Sequence, residues 1–418
     1  MTTVLLVGSG AREHAIALAL SRSGVDIRAH MHRNNPGIAS LAAKTTIGDI
    51  TDYRSLSDIS GVDYAIIGPE SPIERGLANY LERHDVPCVA PRQEAARIET
   101  SKSFARRVLD KVASDANPRY KIVNSIDEMR EFERELNLED LVVKPDGLTG
   151  GKGVKIYSEH FSSRDQLEDY AITHLKQRGV VLLEERLEGT EFTVQCFVDG
   201  NKLEPMPLVR DYKRAYDSDS GSNTGSMGAY SCPDHGLNFV SGNDMAKALE
   251  IMKSTVEGVR KQTTYKYKGI LYGQFMKTNG GLKVIEFNAR FGDPEAINVL
   301  SILDCSLDEI CQGIILGDVP EPQFLNKATV CVYVVPDGYP GPSATSDSPI
   351  TIGDEISSIL HYASVYEEQG KVFTTSSRSL AVCGVGDTIS EARQMAYNDI
   401  RKVSGNIRYR SDIAQGVE

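Results

Sequence analysis

The sequence predicts a multidomain protein of mixed α/β and α+β class, with an N-terminal domain on a parallel sheet, a mixed middle and a mostly-β C-terminal domain. Three observations carry this reading. Over residues 1–100 short apolar runs alternate with helical patterns, as in a parallel sheet wrapped by helices. Two prolines in Asp318-Val319-Pro320-Glu321-Pro322 mark a linker. Beyond it, residues 323–418 are mostly strand patterns and one helix, capped by Thr388 and Glu391. At 418 residues the chain has room for roughly three domains of ~150 residues.

Taken in order, Thr3–Val7 reads as a strand and Ala11–Ser23 as a helix with Ala15, Ile16, Leu18 and Ala19 inward. Ala65–Ile67 and Pro87–Val89 are further strands, with a helix over Pro72–His84 between them. Helices follow at Ser101–Ala113 and from Ser125, where Ser125 and Glu128 spell a capping box. Leu141–Lys144, Val180–Glu184 and Thr190–Val198 are strands, and Asp199-Gly200 is a turn. Residues 215–228, mostly Ser, Gly, Asn and Asp, read as a long exposed loop. Ser241–Gln262 is helical, and strands Gly269–Lys277 and Leu282–Asn288 are joined at Asn279-Gly280-Gly281.

Composition narrows the function. Lys and Arg number 46 against 58 Asp and Glu, a net charge of −12 that disfavours general binding to nucleic acid or an acidic membrane. No apolar run approaches the ~20 residues of a membrane span. The N-terminus lacks the basic region of a signal peptide, so a cytoplasmic location is expected. The seven cysteines include no C-x-x-C pair and read as reduced core residues.

Three glycine-rich loops are candidates for phosphate. Gly8-Ser9-Gly10-Ala11-Arg12-Glu13 sits between strand and helix, where backbone amides can approach an anion. Glu13 at the third glycine position, and His30, His32 and Arg33 where a ribose-binding acid would stand, disfavour NAD. A structural turn and a phosphate site served by Arg12 both remain open. The second loop, Lys144 to Val154, is not a Walker A loop: Asp146 replaces its first glycine and Gly153 its Ser/Thr. What is left is a glycine-dense hairpin flanked by Lys144 and Lys152, suited to covering a polyphosphate. The third runs from Asp211-Tyr212-Lys213-Arg214 to Tyr230.

Lys283 to Glu295 carries the most chemistry. Alternation puts Ile285 and Phe287 on one face and Glu286 and Asn288 on the other, two hard oxygen ligands for Mg²⁺ or Mn²⁺. Arg290, on the same parity, is placed to offset phosphoryl charge. A two-residue hairpin loop would set Gln274 opposite Ile285, and a three-residue loop opposite Glu286. Burying an unpaired amide beside Ile285 would cost ~1–3 kcal/mol, so a three-residue loop is expected, with Gln274, Glu286 and Asn288 converging.

Together Gly8 to Ala15, Gly68-Pro69-Glu70, Ser101-Lys102, Lys144 to Val154, Asn223 to Tyr230, and Ile285 to Glu295 resemble the ATP-grasp family, and within it the phosphoribosylamine–glycine ligase family. Arg290-Phe291-Gly292-Asp293-Pro294-Glu295 after Glu286-Phe287-Asn288 is the most specific mark. The resemblance implies a Rossmann-like substrate domain (1–99), an ATP-grasp core (100–119 and 185–320), a lid (120–184) and a C-terminal domain (321–418). It implies that ATP, glycine and 5-phosphoribosylamine give glycinamide ribonucleotide, ADP and phosphate. By motif, Lys102 and Lys144 would meet ATP phosphates under the loop holding Gly150, Gly151, Lys152 and Gly153. Glu184, Glu185 and Leu187 would line the adenine pocket, and Glu191 would take the ribose. Gly10, Arg12, Glu13 and Glu70 would face phosphoribosylamine. Asp211, Lys213, Arg290 and Asp293 would surround glycine and the transferred phosphoryl. Gln274 stands where many relatives have a small residue, which makes it a candidate third metal ligand. Competing readings are an ATP-grasp ligase for another acid or amine, a non-catalytic nucleotide binder and an NAD oxidoreductase. The expected partners are small molecules, with no nucleic acid or membrane, and the expected state is a monomer or small homo-oligomer.

Overall fold

The computed structural model describes residues 1–56, 59–150 and 153–418. The first strands, β1 (Thr3–Val7), β2 (Asp26–Met31), β3 (Lys44–Ile47), β4 (Tyr64–Ile67) and β5 (Cys88–Val89), form a sheet in the order β3-β2-β1-β4-β5 with every pairing parallel. The order reverses between β1 and β4, so the loops after these two strands frame the crevice where such sheets bind ligands. The helix expected over Pro72–His84 is two pieces, Glu70–Glu74 and Leu77–Glu82. Gly76 between them has φ +81°, a left-handed conformation that stops the first piece.

The next unit has its own sheet. β6 (Tyr120–Val123), β7 (Leu141–Pro145), β8 (Lys155–Ile156) and β9 (Val181–Glu185) pair antiparallel in the order β6-β9-β7-β8. Val143, Leu183 and Val123 pack there with Met129, Phe132 and Leu167 from two helices, in a cluster separate from the other cores. The capping hydroxyls of Ser125 and Thr388 accept the amides of Glu128 and Glu391 as expected, but each glutamate reaches one residue further back, to Asn124 N and Asp387 N.

β10 (Thr190–Val198) and β11 (Leu203–Pro205) begin the central sheet. β12 (Arg210–Asp211), β13 (Arg214–Tyr216), β14 (Ser220–Asn223) and β15 (Gly228–Ser231) follow, and then β16 (Gly269–Thr278) and β17 (Gly281–Asn288). The central order is β11-β10-β16-β17, with Phe192, Val194, Leu271, Phe275 and Phe287 in its buried core. The stretch 215–228 is not a bare loop. β13 pairs with β14, and the buried guanidinium of Arg410 holds Asp219 and Arg214 O at 2.8 and 3.0 Å. An arginine 196 positions away supplies the order that local composition lacks.

β18 (Ala328–Pro336), β19 (Pro349–Ile352), β20 (Ile359–Tyr362), β21 (Val365–Glu368), β22 (Lys371–Thr374), β23 (Leu380–Gly386) and β24 (Val403–Gly405) complete the chain with helix Ile389–Ile400. One sheet runs β12-β15-β18-β23-β20 and a second β21-β22-β19-β24. Residues 210–211 and 228–231 therefore form the first two strands at one side of the C-terminal sheet, although the sequence places them in the middle of the chain. The cysteines are free thiols, all buried except the half-buried Cys305. Among the described residues no helix is long and apolar enough to cross a membrane.

Candidate active site

The floor of the site is one face of the central sheet. Residues directly opposite across strands share a face, and the register aligns Thr193, Gln274 and Glu286 in one row and Gln195, Tyr272 and Asn288 in the next. Six polar side chains thus occupy one face of three strands whose other face is apolar core. Gln274 lies opposite Glu286, as the sequence reading required, but not through a three-residue loop. Thr278 pairs with Gly281 around the two residues Asn279-Gly280, and a bulge at Ile285 shifts the register. Arg106 stabilises that bulge, donating to Val284 O at 2.9 Å and to Ile285 O at 2.8 Å.

Arg106 also clasps Glu184 on β9, with Nε–Oε1 2.6 Å and Nη2–Oε2 2.9 Å, and Lys144 Nζ reaches the same carboxylate at 2.6 Å. Burial pushes the Glu184 carboxyl up, but the two cations outweigh it and hold it below the usual range. The Glu184 side chain is thus committed to the protein, and its strand's backbone is what remains for a base. Glu185 accepts from Arg119 N at 2.8 Å, and Leu187 is half-buried. Lys102 opens helix Lys102–Val112 and donates to Gly147 O at 2.7 Å and Pro145 O at 3.3 Å. Gly150 has φ +57° in open space, and Gly153 O accepts from Tyr170 at 2.8 Å. Gly151 and Lys152 lie outside the described residues.

At the crevice of the parallel sheet, Glu13 is lodged among glycines. A Cβ at Gly68, Gly10 or Gly8 would stand 2.2, 2.9 or 2.6 Å from its side chain. Its carboxylate takes Gly10 N and Arg12 Nε, each at 2.6 Å. Part of the glycine density in the first loop therefore serves Glu13, and the anion beside Arg12 is Glu13 itself. Arg12 Nη1 and Arg290 Nη1 both donate to Phe291 O at 3.1 Å. Arg290 further pairs with Glu70 at 3.3 Å and Glu99 at 3.2 Å, and donates to Asn288 Oδ1 at 3.3 Å. This one guanidinium joins the crevice to the sheet floor. Burial raises Glu70, but Arg290 and Arg12 bring it down to about 2. Glu99, more deeply buried, is pushed up to about 7 against the pull of Arg290.

Lys213 Nζ and Gln274 Nε2 both approach Glu191 Oε2, at 3.1 and 2.6 Å. The Gln274 amide is thus turned to Glu191. Burial raises Glu286, but Lys213, Lys102 and Lys144 together hold it lowered. Asp293 is held from the C-terminal region: Arg378 Nη2, in the loop before β23, lies 3.0 Å from Oδ2, and the Tyr333 hydroxyl on β18 donates to Oδ1. Asp211 is half-buried on β12.

Glu286 and Asn288 are adjacent, with Asn288 Nδ2 at 3.4 Å from Glu286 Oε1. Among the described residues no group of three or more His, Cys, Asp or Glu could hold a metal. A carboxylate and an amide oxygen, hard donors both, with Lys213, Lys102 and Lys144 acting on the carboxylate, fit a divalent ion. Sequence reasoning missed Arg106, Glu99, Arg378 and Tyr333. A buried arginine in an amphipathic helix was the signal for Arg106; nothing local marks Arg378, 85 positions from the aspartate it holds.

A four-stranded antiparallel sheet bearing Lys144, a second antiparallel sheet bearing Glu286 and Asn288, and the further lysines Lys102 and Lys213 acting on Glu286 define an ATP-grasp enzyme. The comparisons agree. Models of the phosphoribosylglycinamide synthetase N domain, ATP-grasp (A) domain and C domain match residues 2–99, 100–296 and 329–416, and the chain belongs to that family. It is 47% identical to the phosphoribosylamine–glycine ligase of Methanocorpusculum labreanum, over 98% of this chain and 95% of that one. It is 43% identical to the ligase of the same name from Pyrococcus horikoshii, over 98% and 94%. The crystal structure of the Thermotoga maritima phosphoribosylamine–glycine ligase superposes with TM-score 0.85 at 29% identity, covering 99% of this chain and all of that one.

Proposed function

We propose that this protein ligates glycine to 5-phosphoribosylamine at the expense of ATP, through glycyl phosphate, giving glycinamide ribonucleotide, ADP and phosphate in purine biosynthesis. The observation that carries this reading is Arg290, which touches both the crevice carboxylate Glu70 and the floor ligand Asn288. Two substrate sites joined by one cation suit a reaction that makes an acyl phosphate at one and consumes it at the other.

A glycine carboxylate resists an amine nucleophile because of its charge, and phosphorylation turns one oxygen into a leaving group. Lys102 and Lys144 would hold the ATP phosphates, with Gly150 to Gly153 closing over them, and Lys213 and Arg290 would offset charge on the transferred phosphoryl. Glu286 and Asn288, with Gln274 as a candidate third ligand, would hold Mg²⁺ or Mn²⁺, which would supply positive charge to offset that developing on the phosphates. Glu184, Glu185 and Leu187 would border the adenine and Glu191 the ribose. Gly10, Arg12, Glu13 and Glu70 would border phosphoribosylamine. Asp211 and Asp293 would border glycine, Asp293 through the loop it anchors. The lid over residues 120–184 would exclude water from the acyl phosphate. The domains are assigned as 1–99, 100–119 with 185–320, and 321–418 beside that lid. The protein is assigned to the cytoplasm as a monomer or small homo-oligomer without nucleic-acid or membrane partners.

The test is ADP release across a panel of amino acids. Turnover is expected only with glycine and phosphoribosylamine together. Glycine labelled with ¹⁸O in its carboxylate should pass one labelled oxygen to phosphate, and unlabelled phosphate would exclude the acyl-phosphate route.

A further inference from the structure

Glu295 lies at the start of helix Glu295–Ser301, 3% exposed, just beyond the Arg290–Asp293 run. Six acids of the site form ion pairs, Glu13 with Arg12, Glu70 and Glu99 with Arg290, Glu184 with Arg106 and Lys144, Glu191 with Lys213 and Asp293 with Arg378, whereas Asp211 and Glu286 form none among the described residues. No ion pair engages Glu295 among the described residues. Its side-chain partner is a hydroxyl: Tyr272 OH donates to Oε1 at 3.0 Å, and Thr193 Oγ1 donates to Tyr272 OH at 3.1 Å. Tyr272 and Thr193 belong to the polar rows of the sheet floor. The second oxygen faces the backbone of the reacting loop, since a Cβ at Gly292 would stand 2.4 Å from Oε2.

A buried carboxylate without a counter-ion favours its protonated form. Burial, with the charge of Asp211 beside it, raises Glu295 to about 7, and Asp211 is itself raised by burial. Lys213, Arg378 and Cys331 also face it electrostatically, from β12's flank, the loop before β23 and β18. A group poised near neutrality can accept a proton and release it again.

We propose that Glu295 is the acceptor of the proton shed by the phosphoribosylamine nitrogen as it attacks, with Tyr272 and Thr193 as positioning residues. This rests on the ligase reading above. The nitrogen lone pair forms the bond to the glycyl carbon, the carbon–oxygen bond to phosphate breaks with its electron pair leaving on phosphate, and the nitrogen's extra proton passes to Glu295. That proton then leaves to solvent as phosphate departs.

The test separates the two half-reactions. Hydroxylamine is small and weakly basic and traps an acyl phosphate as the hydroxamate without needing a protein base. Wild-type enzyme with ATP and glycine should form glycine hydroxamate. In Glu295→Gln, which keeps the Tyr272 hydrogen bond, ligation to phosphoribosylamine should fall by ~100-fold or more, while hydroxamate formation falls far less. Tyr272→Phe should show the same split in weaker form. Ligation at the wild-type rate in Glu295→Gln would overturn the assignment, as would an equal loss of both activities. Absence of hydroxamate from the wild type would instead overturn the acyl-phosphate reading, and this assignment with it.

Discussion

Replacing Arg106 tests whether the lid is tied to the floor through one side chain. Arg106 is 3% exposed and holds Glu184 of β9 on one side and the bulge carbonyls of Val284 and Ile285 on the other. Arg106→Ala breaks a buried ion pair, a change worth ~3–5 kcal/mol when it strands a charge. Lys144 stays on Glu184 at 2.6 Å, so the carboxylate is not fully abandoned and the lower end applies to it. The two carbonyls lose their side-chain donor, at ~1–3 kcal/mol each if water does not replace it. The expected loss is therefore about 5 kcal/mol or more, read as a lower urea midpoint. Lys144 becomes the sole counter-ion of Glu184 and is less available to a phosphate, so the KM for ATP should rise ~10-fold, equivalent to ~1.4 kcal/mol. Arg106→Met with Glu184→Gln should be more stable than Arg106→Met alone, because no buried charge is then left short of a partner. A loss below ~1 kcal/mol with an unchanged KM for ATP would refute the tie, as that lies within the range of ordinary substitutions.

Three further outcomes follow from the same geometry. Lys144→Ala should raise the KM for ATP and lower the rate, whereas Glu286→Gln should be partly rescued by added Mg²⁺; if neither changes activity ~10-fold, the site is misplaced. Gly68→Ala would set a Cβ 2.2 Å from Glu13 Oε1, so stability should drop by ~1–3 kcal/mol, and an unchanged melting temperature would show that Glu13 moves freely. Burial lowers His14 from 6.5 to about 4, and its Nδ1 accepts from Tyr362 N at 3.0 Å. The unfolded chain gains that proton first as pH falls, so stability present above 6.5 should decline toward pH 4 by roughly 3 kcal/mol. His14→Gln should flatten the profile, and an unaltered pH slope in that variant would exclude His14 as the source.

The candidate site residues were legible because the chemistry proposed for them needs particular types at particular spacings. Glu286 and Asn288 declare a shared face by strand alternation, and the glycine loops declare themselves by composition. The groups that fix those residues were not legible, since a long-range partner leaves no local trace. Arg378 meets Asp293 from the C-terminal region, and Arg410 orders 214–219 from near the end of the chain.

The register of Gln274 shows the division. Sequence determined that it must face Glu286, because the alternative face is apolar and an unpaired amide there is unfavourable. It did not determine how. The loop keeps two residues, and the frame is corrected by a bulge whose freed carbonyls Arg106 accommodates, a contact across 178 positions. Local pattern thus set most elements, the faces and the candidate site side chains through periodicity and burial. Which carboxylates form ion pairs and which, like Glu295, form none among the described residues was decided by the tertiary structure alone, because an ion pair depends on distance in space and the dielectric around it.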